Sequence, residues 1–139
     1  MMLWAVEPGL SSVILQISVD NVEMKTEDKI DSQHPIPNLD VIDINTVKMG
    51  GGSDLFIVVA TALSGDHRSL ERLLRKIERY LEFMHTDEFH AESGIATIEN
   101  TNIIVKIPST SASAAFDLLE RSRPWVADNG AILVVEKMG

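Results

Sequence analysis

The sequence predicts an α+β fold: a mostly antiparallel sheet with helices on one face. Three observations carry that reading. Residues 54–62 contain the continuous apolar run Leu55-Phe56-Ile57-Val58-Val59, the pattern of a strand buried on both faces. Leu70, Leu73, Leu74, Ile77, Leu81 and Met84 recur at helical spacing and give one apolar stripe over about five turns. From residue 54 onward the patterns run β-α-β-β-α-β, which is the ferredoxin-like split βαβ order.

Taken along the chain, residues 12–19 alternate, with Val13, Leu15, Ile17 and Val19 on one side and Ile14, Gln16 and Ser18 on the other, so a half-buried strand is expected. Residues 20–40 turn polar and acidic. They end in His34-Pro35-Ile36-Pro37-Asn38, where two prolines impose extended backbone. Composition makes this stretch a solvated connector rather than a metal site, because no EF-hand-like ligand spacing is present. Residues 41–48 form a further strand pattern, and Gly50-Gly51-Gly52 reads as a hairpin loop into the strand at 54–62. A phosphate cradle would need a helix directly after the glycines, and a strand follows instead.

Asp66 is the expected N-cap of the first helix. Ile95 to Glu99 and Ile103 to Ile107 read as two short strands joined at Asn100-Thr101-Asn102. Ser109 to Ser113 leads into a second helix with Ala112, Ala115, Phe116 and Leu119 inward. Pro124 is expected to end or kink that helix, with at most a short continuation through Val126. Asn129-Gly130 supplies a left-handed stop before the last strand, Ile132 to Val135. One conflict stands inside this reading. The first strand of a ferredoxin-like core has both neighbours filled, yet the glycine hairpin also pairs it with residues 41–48. Either the glycine loop is wide and 41–48 goes to a sheet edge, or the C-terminal strand is displaced. Helices on a single face leave the other face in need of cover, from strand 12–19 or from a second subunit.

Length and composition bound the function. At 139 residues one domain is expected, with 1–40 as an N-terminal strand and acidic arm and 41–139 as the α+β core. There is no cysteine, which excludes disulfides, thiol catalysis and cysteine-ligated metals. The formal net charge of -9 disfavours a general nucleic-acid binder. No basic leader opens the chain, and no run approaches the roughly 20 apolar residues that span a bilayer, so a soluble cytoplasmic protein without membrane contact is expected.

The charge is uneven. Arg68, Arg72, Arg75 and Arg79 fall at i, i+4, i+7 and i+11 and line one side of the first helix, with Lys76 beside them. They are read as a solvated, internally paired face, with three candidate partners: an acidic protein, the chain's own acidic 20–40 segment, or an anion or nucleic acid. Single-strand binding wants aromatic platforms, and Tyr80 alone stands among these arginines. His85, Asp87, Glu88, His90 and Glu92 cluster just past the helix, expected in a loop. Their spacing matches no zinc pattern, so neither metal nor cofactor is assigned. Ser109 to Ser113 reads as helix-capping hydroxyls, and no nucleophile elbow is present. Trp125, next to Pro124, is an expected core or interface anchor. No residue is assigned as catalytic. Arg68, Arg72, Arg75, Arg79, His85 and Trp125 are the candidate ligand- or partner-binding residues.

Val41-Ile42-Asp43-Ile44, then His67, Leu70, Leu73, Leu74, Lys76-Ile77 and Tyr80-Leu81-Glu82-Phe83, then Ile104-Val105-Lys106-Ile107, carry a resemblance. Together with the C-terminal helix and strand they resemble a family of small bacterial proteins of unknown function, in which an Ile-Asp strand leads to a Lys-hydrophobe-x-x-Tyr-Leu-x-Phe helix. The resemblance covers roughly residues 40–137. It implies a cytoplasmic bacterial α+β domain with no catalytic residues to transfer. The family's Trp-Asp after the second strand is replaced here by Gly65-Asp66, so no role of that Trp carries over. The expected function is a non-enzymatic protein-interaction module, a homodimer. The alternatives are a small-ligand domain or minor enzyme with a pocket between the sheet and the first helix, and an anion binder using the arginine row.

Overall fold

The glycine hairpin forms where the sequence places it. In a computed structural model that describes residues 29–139, the strands β1 (Ile44–Val47) and β2 (Ser53–Val58) pair antiparallel across it. The Lys48 amide donates to the Gly52 carbonyl at 3.0 Å, and the Gly51 amide to the Lys48 carbonyl at 3.1 Å. Gly52 has no substitute: a Cβ there would lie 2.0 Å from the Asn100 carbonyl oxygen, and its φ is +89°. The expected strand at 12–19 lies outside the described residues.

Helix α1 (His67–Met84) follows β2, and a short α2 (Asp87–Ser93) leads on to β3 (Thr101–Pro108). Helix α3 (Ser113–Asp128) then connects to β4 (Ile132–Met138). The sheet order is β1-β2-β3-β4, with β2 parallel to β3 and β3 parallel to β4. Two expectations are corrected here. The sheet is mixed rather than mostly antiparallel, and the order β-β-α-α-β-α-β is not the ferredoxin-like one.

The cause is residues 95–99, which are not a strand. Asn100 folds them into a turn: its Oδ1 accepts from the Thr97 amide at 2.9 Å and its Nδ2 donates to the Ile95 carbonyl at 3.2 Å. Without that strand no hairpin precedes β3, and each helix carries the chain back to start a parallel neighbour. The topological conflict resolves in favour of the hairpin: β1 keeps its pairing with β2, and the C-terminal strand is the one displaced, to the far edge beside β3.

Pro124 lies inside α3 and does not end it. Proline removes one donor, but Trp125 (2 % exposed) and Val126 on the buried side hold the last turn against the core. The Asn129 side-chain amide then closes the helix on the Trp125 carbonyl at 3.0 Å. Gly130 makes the exit at φ +95°, packed where a Cβ would meet the Ala96 carbonyl oxygen at 2.6 Å.

Burial alternates along the strands. Leu55, Ile57, Ile103, Val105, Ile107 and Leu133 point to one face and are all but excluded from solvent. They pack with Leu73, Leu74, Ile77 and Leu81 of α1, Phe89 of α2, and Ala115, Leu119, Trp125 and Val126 of α3. The described helices therefore cover one face of the sheet, as expected. Ile36 and Leu39, from the segment before β1, complete this core.

Candidate functional site

The arginine row is the first place to look for chemistry, and its partner is the chain itself. Residues 29–43 form a strap that lies along α1. Arg68 pairs with the Asp31 carboxylate at 2.9 Å, and Arg79 donates from Nε to the Asp40 carbonyl at 3.1 Å. Arg72 is 1 % exposed and serves as an internal clamp: Nε and Nη2 reach the Ile36 carbonyl at 3.1 and 2.7 Å, and Nη2 reaches the Lys29 carbonyl at 3.2 Å. Arg75 lies 3.6 Å from Glu78. The chain's own 20–40 segment thus meets Arg68 through a carboxylate and Arg72 and Arg79 through backbone carbonyls.

Below Arg72 the clamp continues through Lys76, Tyr80 and Asp43, noted in the sequence but not assigned as binding residues. Lys76 is 1 % exposed and donates to the Asn38 carbonyl at 2.5 Å, the Val41 carbonyl at 2.7 Å and the Asp43 carboxylate at 3.0 Å. Burial pulls its pKa below the ordinary lysine value, and the Asp43 hydrogen bond and charge oppose that pull. The Tyr80 hydroxyl donates to the Phe56 carbonyl and accepts from the Asp43 amide at 2.7 Å. Burial pushes its pKa up, so it stays a neutral phenol. Asp43 completes the knot by accepting from the Val58 amide at 3.0 Å. Arg72, Lys76 and Tyr80 are four residues apart, so one helix edge presents three polar tips in a column. The signal was present in that spacing. It was hidden because Arg72 and Lys76 look like solvated helix charges until the strap covers them.

His34 anchors the turn of the strap. Its Nδ1 accepts from the Ile36 amide at 2.9 Å, which leaves the ring proton on Nε2, 3.0 Å from the Ser69 hydroxyl. Partial burial is the main cause of its lowered pKa, with the charges of Arg72 and Arg68 adding to it and those of Asp31 and Asp66 opposing. Asp66 takes the N-cap position of α1, but its side chain makes no capping bond; its carboxylate accepts from the Ser64 hydroxyl at 2.7 Å.

The second cluster does not converge. Asp87, Glu88, His90 and Glu92 sit on α2 rather than in a loop. That helix forms because Thr86 caps it, its hydroxyl accepting from the Phe89 amide at 3.2 Å. His85 is exposed at the end of α1, with Nε2 3.3 Å from Asn129 Oδ1. Among the described residues, no group of three or more His, Asp or Glu side chains is placed to hold a metal. Trp125 is buried in the core of α3 rather than displayed to a partner.

The space between the sheet and α1 is filled by Leu55, Ile57, Leu73, Leu74, Ile77 and Tyr80. A surface groove of about 130 Å³ runs beside the strap, its charged lining balanced between Lys29, Arg75 and Arg79 and Asp40, Glu78 and Glu82. A second, apolar groove of about 280 Å³ lies at the β4 edge between Pro124, Ala127, Ile132 and Leu133. There Arg123 reaches across to the Leu133 carbonyl while bonded to both oxygens of Glu120. Neither groove gathers a nucleophile, a base and an oxyanion site.

The sheet face opposite the helices was expected to need cover, but the residues that line it were not resolved in the sequence. The strand register aligns Ile44 with Phe56, Phe56 with Ile104, and Ile104 with Val134. One apolar side chain from every strand thus forms a continuous row. None of the four belongs to the buried core, and no described helix packs over them.

No protein-family model, curated protein or solved structure matches this chain. The four strands, the strap and the open face therefore carry the functional argument. Among the described residues no helix is long and apolar enough to cross a membrane.

Proposed function

We propose that this chain is a non-enzymatic protein-interaction module of the bacterial cytoplasm that self-associates as a homodimer. The observation that carries this reading is the one-sided sheet: among the described residues, helices cover one face, and the other presents the row Ile44, Phe56, Ile104 and Val134. Apolar surface aligned across a whole sheet is stabilised by removal from water, and association removes it. The rival readings have less to work with. A ligand pocket between sheet and first helix would need the room that packed side chains fill. An anion site on the arginine row would need Arg72, whose guanidinium is buried against strap carbonyls.

Sedimentation equilibrium of the full chain over a wide concentration range tests the reading. A reversible monomer–dimer curve is the expected result. A single monomer mass at every concentration, with the fold intact by circular dichroism, contradicts it.

A further inference from the structure

We infer that His34 is an acid-released latch: a proton taken up at Nδ1 frees the strap loop 31–37 from α1 while the sheet stays folded. The inference is independent of the self-association reading.

Hydrogen-bond direction sets the state of the ring. The Ile36 amide points at His34 Nδ1, 2.9 Å away. A backbone N–H can only donate, so Nδ1 is the unprotonated acceptor and the closed loop requires a neutral ring. The ring proton is then on Nε2, 3.0 Å from the Ser69 hydroxyl on α1. A second proton turns Nδ1 into a donor facing a donor, and the Ile36 amide loses its acceptor in a part-buried contact. His85 shows the contrast. Its Nε2 faces Asn129 Oδ1 at 3.3 Å, and that oxygen accepts from the ring whether it is neutral or charged.

The residue that loses its bond is the one that seats the loop. The Ile36 side chain is fully buried in the core, and its carbonyl accepts from Arg72 at 2.7 and 3.1 Å. The Pro35 carbonyl, between Ile36 and His34, accepts from the Ala60 amide just past β2 at 2.9 Å. Pro35 and Pro37 hold the residues before them, His34 and Ile36, in extended backbone. The loop therefore cannot coil into a helical turn that would give the Ile36 amide a new partner.

The surroundings weigh against the proton while the loop is closed. Burial of the ring disfavours the charge first, and Arg72 and Arg68 of α1 add to it. Asp31 in the loop and Asp66 ahead of α1 oppose them. Asp31 is already bonded to Arg68 at 2.9 Å, and Asp66 to the Ser64 hydroxyl at 2.7 Å. An opened loop returns the ring to water and to an ordinary pKa of about 6.5. The closed loop is thus fully favoured above that pH, and acid shifts the balance toward the open one. Opening uncovers one edge of α1: the Arg72 guanidinium and the core surface beneath Ile36.

Two adjacent amides read the outcome. The Val59 amide bonds to β3, at the Lys106 carbonyl 2.9 Å away, whereas the Ala60 amide bonds to the strap. Hydrogen exchange of the full chain is followed by NMR from pH 7.5 to 5, with and without about 1 M urea, and corrected for intrinsic rates. Ala60 should be less protected than Val59, and urea below the unfolding transition should leave its protection unchanged. That protection should fall several-fold toward pH 5, with a ceiling of about thirtyfold for one proton over about 1.5 pH units. Protection at Ala60 equal to that at Val59, with the same urea dependence, means that the loop leaves only when the whole fold does. That result, or a protection at Ala60 that does not fall in acid, overturns the inference. His34→Asn keeps a side-chain oxygen for the Ile36 amide, as in an Asx turn, and takes up no proton. It should abolish the acid response at Ala60, and a response that persists assigns the effect to another group and overturns the latch. Titration of the parent needs no variant. The His34 ring and Ile36 amide resonances should shift with one shared midpoint below 6.5. A ring midpoint at or above that value, or an Ile36 amide that does not follow the ring, contradicts the inference.

Discussion

Ile103 and Ile104 are neighbours in one strand, yet they sit in opposite worlds. Ile103 is fully buried against α1 and α3, while Ile104 stands in the half-covered row on the other side. The same contrast holds for Leu55 and Phe56 and for Leu133 and Val134. The helix side is finished within the chain: its core is closed, and its polar rim is tied by Arg72, Lys76 and Tyr80 to the strap. Among the described residues, the open side is finished only for charge, by Lys106–Glu136 and Lys48–Asp54. The difference separates two kinds of residue. Those on the helix side decide whether the chain folds, and on the proposed reading those on the open side decide what the folded chain meets.

The largest expected effect breaks the comparison at its sharpest point. Ile103→Ala should cost about 2–5 kcal/mol in urea unfolding, because it leaves a cavity in a closed core. Ile104→Ala, one residue on, should cost under about 1 kcal/mol at concentrations where the chain is monomeric. Equal losses would mean that the two faces are equally covered.

Next in size is the clamp. Arg72→Ala should cost about 3 kcal/mol, since it leaves the Ile36 and Lys29 carbonyls without their charged donor and removes a buried aliphatic stem. The loss should come with faster hydrogen exchange at the strap amides of Asp31 and Leu39, which bond to the Pro37 and Lys29 carbonyls. Tyr80→Phe isolates one hydroxyl of the same knot and should cost about 1–2 kcal/mol.

The smallest effect is a pH dependence. His34 is neutral in the fold and its pKa lies below the ordinary 6.5. Below about pH 6.5 the unfolded chain therefore binds the proton more readily than the folded one. The contribution of His34 is full above that pH and is lost as pH falls toward the folded pKa. The slope from this single group is at most about 1.4 kcal/mol per pH unit. Subtracting the unfolding free energies of His34→Gln from those of the parent between pH 7.5 and 5 should reveal it. A difference that stays flat over that range would place the ring outside the strap network.

Much of the helix side was legible in the sequence. The stripe from Leu70 to Met84, the glycine hairpin and the Asn129-Gly130 stop each rest on local rules, and each stands in the structure. Residues 95–99 were misread because Ile95-Ala96-Thr97-Ile98 has strand composition, while the side chain of Asn100 decides in favour of a turn. Losing that one strand turned a mostly antiparallel sheet into a mixed one. Pro124 was misread for a related reason: local backbone chemistry argues for a stop, and burial of Trp125 and Val126 overrides it. In the candidate site, the arginine row was visible and its tie to the chain's own acidic segment was among the readings weighed. Its burial was not visible, because helix spacing reports which residues share a side and not what lies on top of them. The open row was hidden for the same reason. Ile44, Phe56, Ile104 and Val134 come into line only through register, and register depends on a sheet order the sequence left open.

The account holds that charge is settled within each copy and that apolar surface drives the meeting of two. Sedimentation velocity of the full chain at about 50 and 500 mM salt tests this most directly. Salt screens the repulsion between two copies of net charge -9 and leaves apolar contact intact. The account predicts that the dimer is unchanged or strengthened at high salt. A dimer that dissociates as salt rises would show that ion pairs between copies hold it together, and would contradict the account.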